Sequence, residues 1–370
     1  MQLSTIYTDI EAISNVTSQR ALVKRAVQYG LNELTNAILP YLNDESFFTT
    51  VAPYETGTVT ATNASKTITG SGTTFTAAMV GRKIRVDDQI AYYRIAAYVS
   101  ATEVTLEAPY QGTTGSSLTY SIYKDEYKLR ADVDVYKVLR QIEEGIALGS
   151  VEASAFDIID PSPQAEGTPR FEVMVGTKLD TNTTGTLSGT VNQKTLTGSS
   201  TTWLSVEGLS RGTKITIGEY VYTIKSVDSD TSMTIYEPLV TTPSGSSFTL
   251  LLRNMIVLVK DIPDTAQNIY YRYQRLPFPL ISDSDVPDLP EKFHHLLIRY
   301  GLSWVWMSKD KDEATKQSAL AEKGRAEMWR QIGQVSTSRI YRRISMDVTK
   351  FVTRTGQPVA PANYGLPLEL

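Results

Sequence analysis

The chain has no cysteine and only two histidines, and each shortage removes a kind of chemistry. Without cysteine there are no disulfides, thiolate zinc sites or cysteine nucleophiles. His294 and His295 are neighbours, so a helix would set them about 100° apart and only one could face a core. Both read as structural or solvated. A basic excess is missing too: 36 Lys and Arg stand against 40 Asp and Glu, giving a net charge of -4. A protein that wraps nucleic acid shows the opposite balance. Long apolar runs are absent, none approaching the roughly 18 to 20 residues that span a bilayer. The opening Met1-Gln2-Leu3-Ser4-Thr5 lacks the basic-then-apolar order of a secretory signal, so neither membrane insertion nor secretion is expected. What is present is an ordinary globular composition, 41% hydrophobic and 21% charged over 370 residues. That length is too great for one small core and predicts about two to three domains.

Catalytic patterns fail one by one. Ser/His/Asp catalysis needs a histidine beside a nucleophile, and neither histidine has that setting. Asp283-Ser284-Asp285-Val286-Pro287-Asp288 has carboxylate spacing but lacks the turn glycine and distal glutamate of a calcium loop. Gly70-Ser71-Gly72-Thr73-Thr74 has no following Lys-Ser/Thr and leads into β structure, so it is not a phosphate loop. The expectation is a protein that is not an enzyme, with no catalytic residue, no cofactor and no metal.

The strongest positive feature is an internal repeat, the signal that most alters a fold assignment. Gly57-Thr58-Val59-Thr60-Ala61-Thr62 recurs as Gly185-Thr186-Leu187-Ser188-Gly189-Thr190, and ten of the first twenty columns are identical. The echo continues through Gly81-Arg82-Lys83-Ile84-Arg85-Val86 and Gly212-Thr213-Lys214-Ile215-Thr216-Ile217. Runs such as Lys83-Ile84-Arg85-Val86 alternate apolar and polar residues with period two. Gly-Ser and Asp-Asp clusters punctuate them as turns, so each copy reads as a small antiparallel β-barrel or sandwich.

Helical patterns bracket the copies. Val23, Val27, Gly30, Leu31, Leu34 and Ile38 form one stripe behind a Thr17-Ser18 cap. Ile6, Ile10 and Ile13 mark a shorter helix before it. Downstream, 255–259 and 268–273 read as strands joined across Pro263-Asp264. Asp288-Leu289-Pro290-Glu291 starts a helix with Asp288 as its cap, and Asp312 caps the next, predicting a helical hairpin. The fold class expected is α+β: a helical body of N-terminal helices and a C-terminal helical hairpin, a central β segment, and two duplicated β insertions. The divisions are 1–56, N-terminal helical part; 57–126, first β module; 127–184, central segment; 185–254, second β module; 255–336, strand pair and helical hairpin; and 337–370, an extended tail.

Asn268-Ile269-Tyr270-Tyr271-Arg272-Tyr273, Pro277-Phe278-Pro279-Leu280, the acidic Asp283-to-Asp288 turn and Leu289-Pro290-Glu291-Lys292-Phe293-His294-His295-Leu296-Leu297 resemble the C-terminal half of tailed-bacteriophage head-to-tail adaptor proteins. Lys128-Leu129-Arg130-Ala131-Asp132-Val133, Asp157-Ile158-Ile159-Asp160-Pro161 and Gly167-Thr168-Pro169-Arg170-Phe171-Glu172-Val173 resemble their middle segment. The second β module is the departure from the pattern. The resemblance implies a virion protein at the portal vertex or neck, assembled in the host cytoplasm. It implies a homo-oligomeric ring of about twelve copies, partnered by the portal protein and by tail, nozzle or fibre proteins. Double-stranded DNA would pass through the channel without sequence-specific binding. Carried onto this chain, the tail's Arg339, Tyr341, Arg342, Arg343, Lys350, Phe351 and Arg354 become the portal contacts, in keeping with the arginine and aromatic anchors that dominate interfaces. The alternative is a β-rich fibre or baseplate adhesion protein, its duplicated modules holding glycans or partner proteins through Tyr92, Tyr93 and Tyr222.

Overall fold

A computed structural model describes residues 1–15, 20–36, 42–87, 89–141, 146–150, 152, 166–307 and 309–347. The chain divides into two compact units, one from Met1–Leu42 with the residues from Pro277 onward, the other Asn43–Leu276. Strand outweighs helix, 38% against 25%. The expected α+β fold, a helical body closed by a C-terminal helical hairpin, is therefore wrong. The protein is β-dominated, built on large multi-strand sheets. The helical stripes are real, and they are spent on one another in the core of the smaller unit.

That smaller unit contains α1 (Leu3–Ser14), α2 (Arg20–Thr35), α3 (His294–Trp306) and α4 (Lys311–Asp347). Leu3, Ile6, Tyr7 and Ile10 of α1 join Val23, Val27, Leu31 and Leu34 of α2 in one core with Leu296, Leu297, Tyr300 and Val305 of α3 and Ala321 and Met328 of α4. Ile13, expected in the α1 stripe, is exposed, and Ser14 is buried in its stead. α1 ends because Asn15 turns left-handed at φ 52° and returns its N–H to Glu11 O, a conformation asparagine tolerates better than most residues. The acidic turn before α3 has a structural use: the carbonyls of Asp283 and Asp285 accept the N–H groups of Ser4 and Leu3 that open α1. Asp288 is not the cap of α3, which enters through a single 3-10 turn, Glu291–Phe293. Asp310, not Asp312, caps α4, accepting from the N–H of Asp312 at 3.0 Å and Glu313 at 3.2 Å. Trp329 Nε1 on α4 donates to Leu34 O at 2.9 Å. A Cβ on Gly324 would strike Leu296, and one on Gly30 would strike Tyr300, so glycines set how closely the helices approach.

Among the described residues the larger unit holds three sheets. A seven-stranded sheet, built from strands between Thr58 and Tyr123, is the first module; its core includes Val59, Ile68, Phe75, Ile84, Tyr93, Ile95, Val104 and Leu106. The second module, part of a nine-stranded sheet, repeats that core as Leu187, Leu196, Trp203, Ile215, Tyr222, Ile224, Met233 and Ile235. The same turn chemistry recurs. Thr73 Oγ1 donates to Ala101 O at 3.0 Å, and Thr201 Oγ1 to Asp230 O at 2.6 Å. Each threonine sits where a Cβ on Gly70 or Gly198 would fall, which explains why the Gly-Ser-x-Thr motif appears in both copies.

A long antiparallel ribbon, Phe171–Asn182 with Thr249–Lys260, enters and leaves the second module. The Thr249 end of its second strand pairs with Lys214–Ile217 in the module, and the far end pairs with Glu126–Lys128. A four-stranded sheet runs Asn43–Thr49, Asn268–Arg275, Val133–Gln141, Ile146–Ala147. Phe48, Tyr127, Leu129, Val257, Val259, Ile269, Tyr271 and Tyr273 form the core between it and the ribbon. Two expectations change here. Asn43–Thr49, inside the segment read as helical, is a strand held in register against Gln274 through Asn268. The strands Thr249–Lys260 and Asn268–Arg275 do not pair with each other; consecutive in sequence, they enter different sheets. No helix among the described residues is long and apolar enough to cross a membrane.

Candidate functional site

Both modules are fastened to one segment, Lys124 to Asp132, by polar contacts. From the first module, Lys83 Nζ reaches Asp125 Oδ2 at 2.7 Å, with the two side chains only 7% and 5% exposed. Arg94 grips Glu126 with two nitrogens, at 2.7 and 3.1 Å, the forked geometry that favours arginine over lysine. From the second module, Glu207 accepts from Lys124 Nζ at 2.6 Å and from the Lys128 N–H at 3.0 Å. Ser210 Oγ accepts the Ala131 N–H at 2.8 Å, and Arg211 reaches buried Asp132 at 2.6 Å. Asn254 on the ribbon donates to the carbonyls of Leu129 and Gly208, at 2.7 and 2.8 Å. Asp132 is also met by Arg130 at 2.9 Å.

Between the modules lies a cleft of about 750 Å³, bounded by Arg82, Lys83 and Arg94 on one side, Glu207 and Ser205 on the other, and Lys178 and Asp180 along the ribbon. Its charges are mostly spoken for. Burial drives the Asp125 carboxyl up even though Lys83 pulls it down. Burial also pushes Glu126 up, but the Arg94 hydrogen bonds and charge prevail and hold its carboxyl below the ordinary range. At Asp180 the same opposition ends in a lowered carboxyl, with Lys128 at 2.7 Å outweighing burial. Such an arrangement holds two modules in place; it offers no poised acid or base pair. Among the described residues no group of histidines and carboxylates converges as a metal-binding set.

The sequence-derived site residues fall elsewhere. Arg339, Tyr341, Arg342 and Arg343 lie on the last turns of α4, which continues to Asp347. Residues 337–347 are thus helical where an extended tail is expected: a polar composition that reads as tail can also continue a helix already nucleated by the turns before it. Lys350, Phe351 and Arg354 lie outside the described residues. The supposed glycan platform does not form. Tyr93 and Tyr222 are buried in their module cores, and their hydroxyls accept the N–H groups of Gln111 and Val240; only Tyr92 is exposed. His294 is buried with Nε2 2.9 Å from Leu289 O, and burial lowers its pKa, so it is a packing residue. The latch around Lys124 to Asp132 is the feature that sequence reasoning misses. Asn254, the one amide in a mostly apolar strand, is its one visible signal.

No curated protein matches the chain. The family comparison gives one matched range, which takes in the second β module and does not extend to the first, residues 57–126. Residues 165–347 match the family model described as SU10 adaptor protein, a similarity that supports a phage adaptor-type protein.

Proposed function

We propose that this chain is a structural component of the virion, forming an adaptor ring of about twelve copies between the capsid portal and the tail. The ring lines the DNA channel and serves tail attachment and genome passage. The match over residues 165–347 carries this reading, since it runs through the second module, the ribbon and helices α3 and α4 to the last residue of α4. Three physical features are consistent with it. Both modules are clamped to a common segment, which suits a part that must hold its shape among identical neighbours. The net charge of -4 leaves no cationic surface excess to retard passing DNA through phosphate attraction. Arg339, Tyr341, Arg342 and Arg343, followed by Lys350, Phe351 and Arg354, place anchor-type residues along one stretch of chain for the portal to grip. The role is structural, with no catalytic step and no cofactor.

The test is electron microscopy and co-sedimentation of the full chain with a portal ring. Association into a ring is expected. Truncation after Asp347 and the double substitution R342E/R343E are each expected to weaken association while leaving the circular dichroism of the folded protein unchanged. Full association by both altered proteins overturns the tail-contact reading, and failure of the intact chain to join the portal overturns the ring.

A further inference from the structure

The strand Phe171–Asn182 is paired on both sides only at its start. Gly149–Ser150 meets Phe171 and Glu172, and beyond them its outer edge has no strand partner among the described residues. From Met174 to Leu179 every residue is exposed, on both faces of the strand, and Leu179 is 66% exposed. An open edge of this kind presents a row of unpaired N–H and C=O groups and is a template for another strand. Natural edges are usually blunted by charge, but here one lysine and one aspartate flank an apolar residue, and that order is self-complementary.

We infer that this edge pairs with the same edge of a second copy, antiparallel about a two-fold axis at Leu179. In that register Leu179 faces Leu179. Lys178 then faces Asp180 twice, beside the pairs Asp180 already makes with Lys128 at 2.7 Å and with Lys178 of its own strand at 3.6 Å, and Thr177 faces Thr181 twice. Apolar, opposite-charge and Thr–Thr cross-strand pairs are the three kinds that stabilise an antiparallel sheet. The neighbouring registers are poorer: centring on Lys178 opposes two ammonium groups, and like charges directly opposite are destabilising. The irregularity between Met174 and Gly176 ends the regular stretch on one side, so the shared segment is short and centred where the charges match. The contact is isologous and joins two copies only; it is not the contact that repeats around a ring, and it does not depend on the proposed function.

The absence of cysteine permits a clean test. In the full chain, Leu179→Cys is expected to form an intermolecular disulfide under mild oxidation, because residues directly opposite in an antiparallel pair lie about 4.5 to 5.5 Å apart at Cα. Thr177→Cys is expected not to, since in this register the two copies of residue 177 stand about 14 Å apart. By analytical ultracentrifugation the unmodified chain is expected to show a dimer at roughly tens to hundreds of micromolar, as suits a contact smaller than a standard interface. Leu179→Glu, a change at an exposed position, is expected to raise the dimer dissociation constant at least tenfold. Crosslinking at residue 177 in preference to 179, a chain monomeric throughout that range, or association untouched by Leu179→Glu overturns the inference. Loss of portal binding in these variants would speak to the ring reading alone, because the crosslink reports this contact directly.

Discussion

Replacing Lys83 with methionine keeps the length of the side chain and removes its charge, leaving Asp125 buried without the ammonium 2.7 Å away. Breaking a buried pair by removing one partner costs about 3 to 5 kcal/mol. Glu126 does not soften the loss, since its own carboxylate also raises Asp125. The local reporter is amide exchange in the strands Lys83–Val86 and Tyr120–Tyr123, which pair with each other. A deficit of that size speeds exchange through opening of the module by roughly a hundred- to several-thousand-fold. The effect has a definite pH dependence. Burial already raises Asp125 in the folded protein, and without Lys83 it rises further. Below the unfolded value of about 3.9 the carboxyl is neutral in both states and carries no charge penalty. The penalty grows as pH rises through that value and is complete above the folded one. K83M is therefore expected to approach the wild type near pH 4 and to depart most at pH 8, with K83M/D125L recovering much of the loss. A deficit below about 1 kcal/mol at pH 8, or one that is the same at both pH values, refutes the reasoning.

Two further substitutions compare the modules with each other. Gly70→Ala and Gly198→Ala each drive a methyl group into the threonine that braces the neighbouring turn, Thr73 or Thr201. Each is expected to destabilise its own module by about 1 to 3 kcal/mol in urea unfolding followed by exchange, and a neutral result in either copy counts against the shared bracing. Trp203 is buried with its Nε1 lacking any hydrogen-bond partner, while the corresponding residue of the first module is Phe75. Trp203→Phe deletes that orphan donor along with some volume, so calorimetry is expected to show a change within about 1 kcal/mol, far less than the 3 to 5 expected for Trp203→Ala.

The duplicated modules are legible in the sequence because their cores align column by column, Ile84 with Ile215 and Tyr93 with Tyr222. The stripes of α2 and α3 are legible for a similar reason, each being a local periodicity that needs no partner to be recognised. Asn43–Thr49 is not. Its Asn-Asp-Glu-Ser start carries no strand propensity, and it becomes a strand through register with residues more than two hundred positions away. The latch is hidden for the same reason: Glu207, Ser210 and Asn254 acquire meaning only against Lys124, Ala131 and Leu129. Overweighting of local signals also explains the fold-class error, since capped helices announce themselves and polar edge strands do not. At the three tyrosines, residue type suggests a sugar platform, but the strands turn Tyr93 and Tyr222 inward and leave one of the three, Tyr92, outside.

Thr249–Lys260 is a wall of the second module at one end and a central strand of the body at the other. A load applied to the module's outer loops thus passes along continuous covalent backbone into the interior, without crossing a linker. Both strands of the ribbon are drawn the same way by such a load, so yielding requires them to slide together past Glu126–Lys128, where backbone ladder bonds resist in concert. The module is mounted like a mast stepped through the deck to the keel, and it would sway only as far as the hull does.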